Sequence, residues 1–141
     1  FEAKTVHRLL EISGVQEDGG STEGFGRNAQ NPLDADVIIA PSITGFTTQM
    51  LSKWRPGARI IGMSPSMATV RQMQLQWGVV PVWSRRAEST DELIENSVEE
   101  LKDRGLVEEG ELAVITAGVV TYARRHEAAT QTNIMRVINI E

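Results

Sequence analysis

Cysteine is absent from the 141 residues. Its absence excludes disulfides, thiolate metal sites and cysteine nucleophiles, and makes a reducing, cytoplasmic compartment the expected setting. Histidine is nearly absent: His7 and His126 lie far apart, and neither has a metal ligand at close spacing. No metal site is expected. No apolar run approaches the roughly 18 residues of a membrane span. The amino end, "FEAKTVHRLLEISGV", is amphipathic rather than a charged segment followed by an apolar block, which excludes a secretory signal. Basic charge is also scarce. The net charge is −5 and the pI about 5.1, so the diffuse positive field of a nucleic-acid binder is missing. Neither nucleic acid nor a membrane is an expected partner. The chain begins on Phe1 without a methionine, as a trimmed end or an excised piece would.

What is present is regular over most of the length. Residues 1–14 predict a short helix closed by Gly14. Residues 15–35 are rich in Gly, Asn, Ser and acids without a period, and read as a connection. Residues 1–35 thus form an amino-terminal helix and connection, and residues 36–141 one domain. Within it, 36–40, 59–63, 78–84 and 111–118 read as strands. The spacing predicts helices over 45–54, from a Ser64 cap to about Gln76, and from the "STDE" capping box at 89–92 to Gly105. Phe46, Met50, Leu51 and Trp54 are the expected inner side of the first of these. Val70, Met73 and Trp77 mark the second, and Ile94, Val98 and Leu101 the third. "NIMRVINI", 133–140, reads as a last strand at an edge, reached without an intervening helix and therefore free to run antiparallel. Apolar runs alternating with amphipathic helices predict a three-layer α/β fold: a mainly parallel five-stranded sheet covered on both faces.

The stretch between the first strand and its helix carries the chemistry. Residues 42–48, "SITGFTT", set Ser42, Thr44, Thr47 and Thr48 around Gly45. Ligands of open α/β sheets sit at the carboxyl ends of strands, against helix amino ends. Backbone amides there favour an anion, and the helix dipole adds to the attraction. Hydroxyls add uncharged donors, and glycine lets the backbone come close. A phosphate or sulfate suits such a cradle. Ser and Thr are also ordinary helix caps, and spacing alone does not separate the two readings. No lysine follows in the Walker pattern and there is no dinucleotide fingerprint, so no cofactor is expected. No nucleophile, base and orienter come together in the sequence, and no catalytic residue is assigned. Arg85 and Arg86 also follow a strand, where they face the same crevice or simply solvent. Trp54, Trp77 and Trp83 read as core or interface aromatics.

Several of these segments together resemble the carboxy-terminal domain of pyruvate kinases. The resemblance rests on the hydroxyl loop Ser42 to Thr47, on Ser52-Lys53-Trp54-Arg55-Pro56 ending a helix, and on Trp77-Gly78-Val79-Val80-Pro81-Val82 entering a strand. Thr116-Ala117-Gly118, ending the next strand, and Thr132-Asn133 complete it. It covers residues 36 to 141 in order. It implies a domain without the catalytic residues of the kinase, one that builds subunit interfaces and in many members binds a phosphorylated effector, often a sugar phosphate. By that resemblance Ser42, Thr44, Gly45, Phe46 (through its backbone) and Thr47 hold the phosphate, and the loop 119–131 closes over it.

Two departures qualify the expectation. Ile43 stands where some effector-binding members have a basic residue. The closing loop, "VVTYARRHEAATQ", carries Arg124, Arg125 and His126 in place of the usual Gly- and Pro-rich form. Two arginines can clamp a phosphate bidentately; an exposed Arg-Arg-His followed by Glu127 is equally a solvated loop. The expected partners are a phosphorylated small molecule or inorganic anion and further copies of the chain. A small enzyme acting on a phosphorylated metabolite through 124–126, and an oligomerisation module with a vestigial loop, are the competing readings.

Overall fold

The computed structural model describes residues 35–118 and 132–141, which form one sheet with helices on both faces. The predicted helix at 1–14 and the connection 15–34 lie outside the described residues, as do 119–131. In chain order the elements are β1 (Val37–Pro41), α1 (Phe46–Trp54), β2 (Arg59–Ser64), α2 (Met67–Met73), β3 (Val79–Trp83), α3 (Thr90–Asp103), β4 (Leu112–Gly118) and β5 (Thr132–Asn139). The spatial order is β3-β2-β1-β4-β5. β1 to β4 are mutually parallel, and β5 runs antiparallel to β4 at the edge.

The apolar run of β1 is buried on both faces because its alternate side chains serve two cores. Val37 and Ile39 join Ile61, Met63, Ala113 and Ile115 beneath α3, through Ile94 and Leu101. Ile38 and Ala40 join Ile60, Val114 and Leu51 beneath α1. At the far edge, β3 carries Pro81, which has no N–H to offer a further strand.

The helices correct the sequence expectations in detail. In α1 only Leu51 of the four expected inner residues is fully buried; Phe46 and Trp54 are exposed and Met50 is half-buried. Thr47, Thr48 and Ser52 take the inner positions instead. The reason is the closeness of helix and sheet: a Cβ added to Gly62 of β2 would stand 2.8 Å from Thr48 Cγ2 and 2.7 Å from Met73 Sδ. At this point of closest approach α1 presents Thr48, and Gly62 leaves room for it and for Met73. Ser66, not Ser64, caps α2. Ser66 Oγ accepts from the Thr69 amide at 3.3 Å, while Ser64 ends β2 and its hydroxyl accepts from the Ser66 amide at 3.2 Å. α2 also stops at Met73. Tight turns from Leu75 N–H to the Gln72 carbonyl and from Gln76 N–H to the Met73 carbonyl follow, which swing Trp77 out to solvent.

The predicted box on α3 is present with one return bond displaced. Ser89 Oγ accepts from the Glu92 amide at 3.1 Å, and the Glu92 carboxylate accepts from the amide of Glu88 at 2.8 Å. The carboxyl end is a Schellman motif on Gly105 (φ +65°). Leu106 N–H donates to the Leu101 carbonyl and Gly105 N–H to that of Lys102, each at 2.9 Å.

Candidate functional site

The hydroxyl loop lies where β1 ends and α1 begins, beside the end of β2. Its entry is fixed by the Ser42 amide, which donates to the Met63 carbonyl at 2.8 Å and so extends the β1–β2 ladder by one residue. Ser42 Oγ then accepts from the Gly45 amide at 2.9 Å, closing the turn. Gly45 is buried with φ +76°, a left-handed conformation that side chains resist. The space is also tight, since a Cβ there would meet Thr69 Cγ2 at 3.3 Å and Met73 Cγ at 3.4 Å.

Neighbouring elements hold the two carbonyls of this turn from the inside. The Ile43 carbonyl accepts from Thr69 Oγ1 at 2.8 Å and, more distantly, from Ser64 Oγ at 3.4 Å. The Gly45 carbonyl accepts from Thr48 Oγ1 at 2.8 Å, from the Gln49 amide at 3.1 Å and from Gln76 Nε2 at 3.2 Å. All described peptides are trans. In a planar trans peptide the N–H points opposite to the C=O. The amides of Thr44 and Phe46 therefore point away from α2, toward the open side of the turn. The Phe46 amide donates to the exposed Thr44 Oγ1 in a long bond of 3.4 Å, on the open side of the turn.

The sequence-predicted residues separate on this geometry. Ser42, Thr44, Gly45, Phe46 and Thr47 come together on one turn. Phe46 is exposed and Thr47 buried. Thr48 faces inward and serves the fold. Arg124, Arg125 and His126 lie outside the described residues, as does His7. Arg85 and Arg86 are both exposed beyond β3. Trp54, Trp77 and Trp83 are exposed too, which overturns the core reading of these rings. Among the described residues no three His, Cys, Asp or Glu gather as a metal site, and no helix is long and apolar enough to cross a membrane.

Sequence reasoning missed the supports of the turn: Ser64, Thr69 and Gln76 reach it from 21 to 31 residues away. Nothing in the local spacing of 42–48 announces them. Thr116 was also missed as a polar site. It is fully buried near the carboxyl end of β4, and its hydroxyl has no hydrogen-bond partner among the described residues.

The profile of the family "Pyruvate kinase, alpha/beta domain" matches residues 26–138, most of the chain. The chain belongs to this family. Individual relatives agree. A pyruvate kinase of Clostridium acetobutylicum is 38% identical over 109 residues, covering 77% of this chain and 22% of the relative. One of Bacillus licheniformis is 34% identical over 139 residues, 96% of this chain and 23% of the relative. One of Staphylococcus aureus is 38% identical over 130 residues, 92% and 21%. The chain thus spans between 21% and 23% of the length of these relatives. The mixed five-stranded sheet and its three described helices are the α/β domain that the resemblance implied.

Proposed function

We infer that this pyruvate kinase α/β domain binds the phosphoryl group of a small metabolite, or a free inorganic anion of like geometry, at residues 42–48. Binding there regulates an assembly of copies of the chain. The observation that carries this reading is the inward capture of the Ile43 and Gly45 carbonyls, which turns the Thr44 and Phe46 amides outward at the amino end of α1. Outward amides fixed in advance bind an anion without the cost of ordering them. The hydroxyls of Ser42, Thr44 and Thr47 complete the donor set, and Arg124 and Arg125 supply the cationic clamp. This reading assigns no catalytic step to residues 36–141; the chain spans about a fifth of the length of the pyruvate kinases it resembles.

Calorimetry of the chain with inorganic phosphate and a panel of sugar mono- and bisphosphates tests the reading. Saturable binding is expected, weakened about tenfold, ~1.4 kcal/mol, by Thr44→Ala and by Thr47→Ala. Gly45→Ala should weaken it further by disturbing the backbone. Absence of heat from a folded sample would leave these hydroxyls as caps and the domain as a structural module.

A further inference from the structure

A second feature lies on the outer α1–α2 face, along α2 and at the carboxyl end of α1. Between Val37 and Ala87 the chain holds no Asp or Glu, and α1, α2 and the residue after α1 carry Lys53, Arg55 and Arg71. Both helices that cover one side of the sheet come from this acid-free stretch. The other side is covered by α3, whose exposed residues include Asp91, Glu95, Glu99 and Asp103. Among the described residues the α1–α2 side therefore carries cations without acids, while the outer surface of α3 is mainly acidic, with Lys102 and Arg104 at its carboxyl end.

The basic side also exposes large apolar groups. Leu75 is 90% exposed and Trp77 48%. Met67, Arg71 and Leu75 follow at intervals of four residues on the outer side of α2 and the turn after it, all exposed. The carboxyl end of α1 joins this surface directly. Ser52 Oγ donates to the Trp77 carbonyl at 2.7 Å, and the Arg55 guanidinium stacks over the Trp77 ring at 4.7 Å. Arg55, which caps the carboxyl end of α1, has a left-handed backbone (φ 48°), a strained position for a residue with a side chain. Trp54 stands exposed beside it. Tryptophan and arginine clustered around exposed leucine and methionine are the composition of a binding hot spot.

We propose that this face, centred on Leu75, Trp77 and Arg55, docks an amphipathic protein segment whose apolar stripe is flanked by carboxylates. Charge complementarity selects that occupant. A two-fold pairing of this face with itself would set arginine against arginine, with no acid to relieve it. The acidic side of α3 in another copy offers charge but an outer surface of carboxylates, with nothing to cover Leu75 and Trp77. Only a partner that is both acidic and apolar satisfies the whole surface.

The test uses two synthetic helical peptides with the same leucine stripe, one flanked by glutamates and one by lysines. Each is titrated into the full chain and followed by tryptophan fluorescence and amide shift mapping. The expected result is saturable binding of the glutamate peptide alone, weakened by added salt, with shifts centred on residues 71–77. Leu75→Ser and Arg71→Glu change exposed side chains, leave the fold intact and should each reduce affinity about tenfold. Equal binding of both peptides, binding of neither, or shifts elsewhere would overturn the proposal. So would sedimentation showing a dimer that Leu75→Ser dissolves, which would make a second copy the occupant.

Discussion

The hydroxyl of Thr69 donates to the main-chain carbonyl of Ile43 across 2.8 Å, linking the first turn of α2 to a loop 26 residues earlier. That bond does two things. It satisfies a carbonyl that cannot join the sheet, and it turns the next amide outward. The candidate anion site is thus built by α2 as much as by its own loop.

Thr69→Val keeps the side-chain shape and removes the donor. It leaves the Ile43 carbonyl with only the long contact to Ser64 Oγ. A loss of about 1–2 kcal/mol is expected in urea unfolding. Phosphate affinity should fall together with stability, although Thr69 is not expected to touch the ligand. Unchanged affinity in the calorimeter would show that the loop holds its shape without α2.

Gly62→Ala tests the tight seat of α1 and α2 on β2. The added methyl meets Thr48 Cγ2 and Met73 Sδ below normal contact distance. Met73 can move its flexible end, but Thr48 is held by its bond to the Gly45 carbonyl. A loss of roughly 1–3 kcal/mol is expected, read as a lower thermal midpoint. A variant as stable as the parent would mean that the helices ride further from the sheet.

Thr116→Val goes the other way. The Thr116 hydroxyl is fully buried without a partner among the described residues, and an unsatisfied buried hydroxyl costs about 1–3 kcal/mol. An isosteric methyl in its place should leave stability unchanged or raise it. A clear drop in thermal midpoint would reveal an unseen partner, such as a bound water.

Ser89→Ala removes the cap of α3 and frees the Glu92 amide. The expected loss is ~1 kcal/mol. Hydrogen exchange should show it as faster opening of the first turn of α3, with β1 and β2 unaffected. Uniform acceleration across the sheet would show that α3 and the core open as one unit.

The strand–helix order, the antiparallel last strand and the edge position of β5 were legible from the apolar runs and the lengths between them. Burial of β1 on both faces leaves no polar residue in "VIIA", and that is a local property of the text. The hydroxyl loop was equally legible as an unusual run at a strand end. Family membership followed from several motifs in order, and the profile match over 26–138 agrees.

Which side chains of α1 go inside was not legible. Periodicity put Phe46 and Trp54 inward because they are large and apolar, while the structure puts Thr47, Thr48 and Ser52 there. At Thr48 the deciding fact is Gly62, on another strand, whose missing side chain lets α1 come close. The same holds for the direction of the loop amides, set by Thr69, Ser64 and Gln76, and for the clustering of Trp77 with Arg55. Sequence by itself determined the elements, their order and the residue types at the strand end, because these follow from spacing along one chain. Only the tertiary structure decided which groups face each other, because contact distances between elements depend on side chains that no local pattern connects.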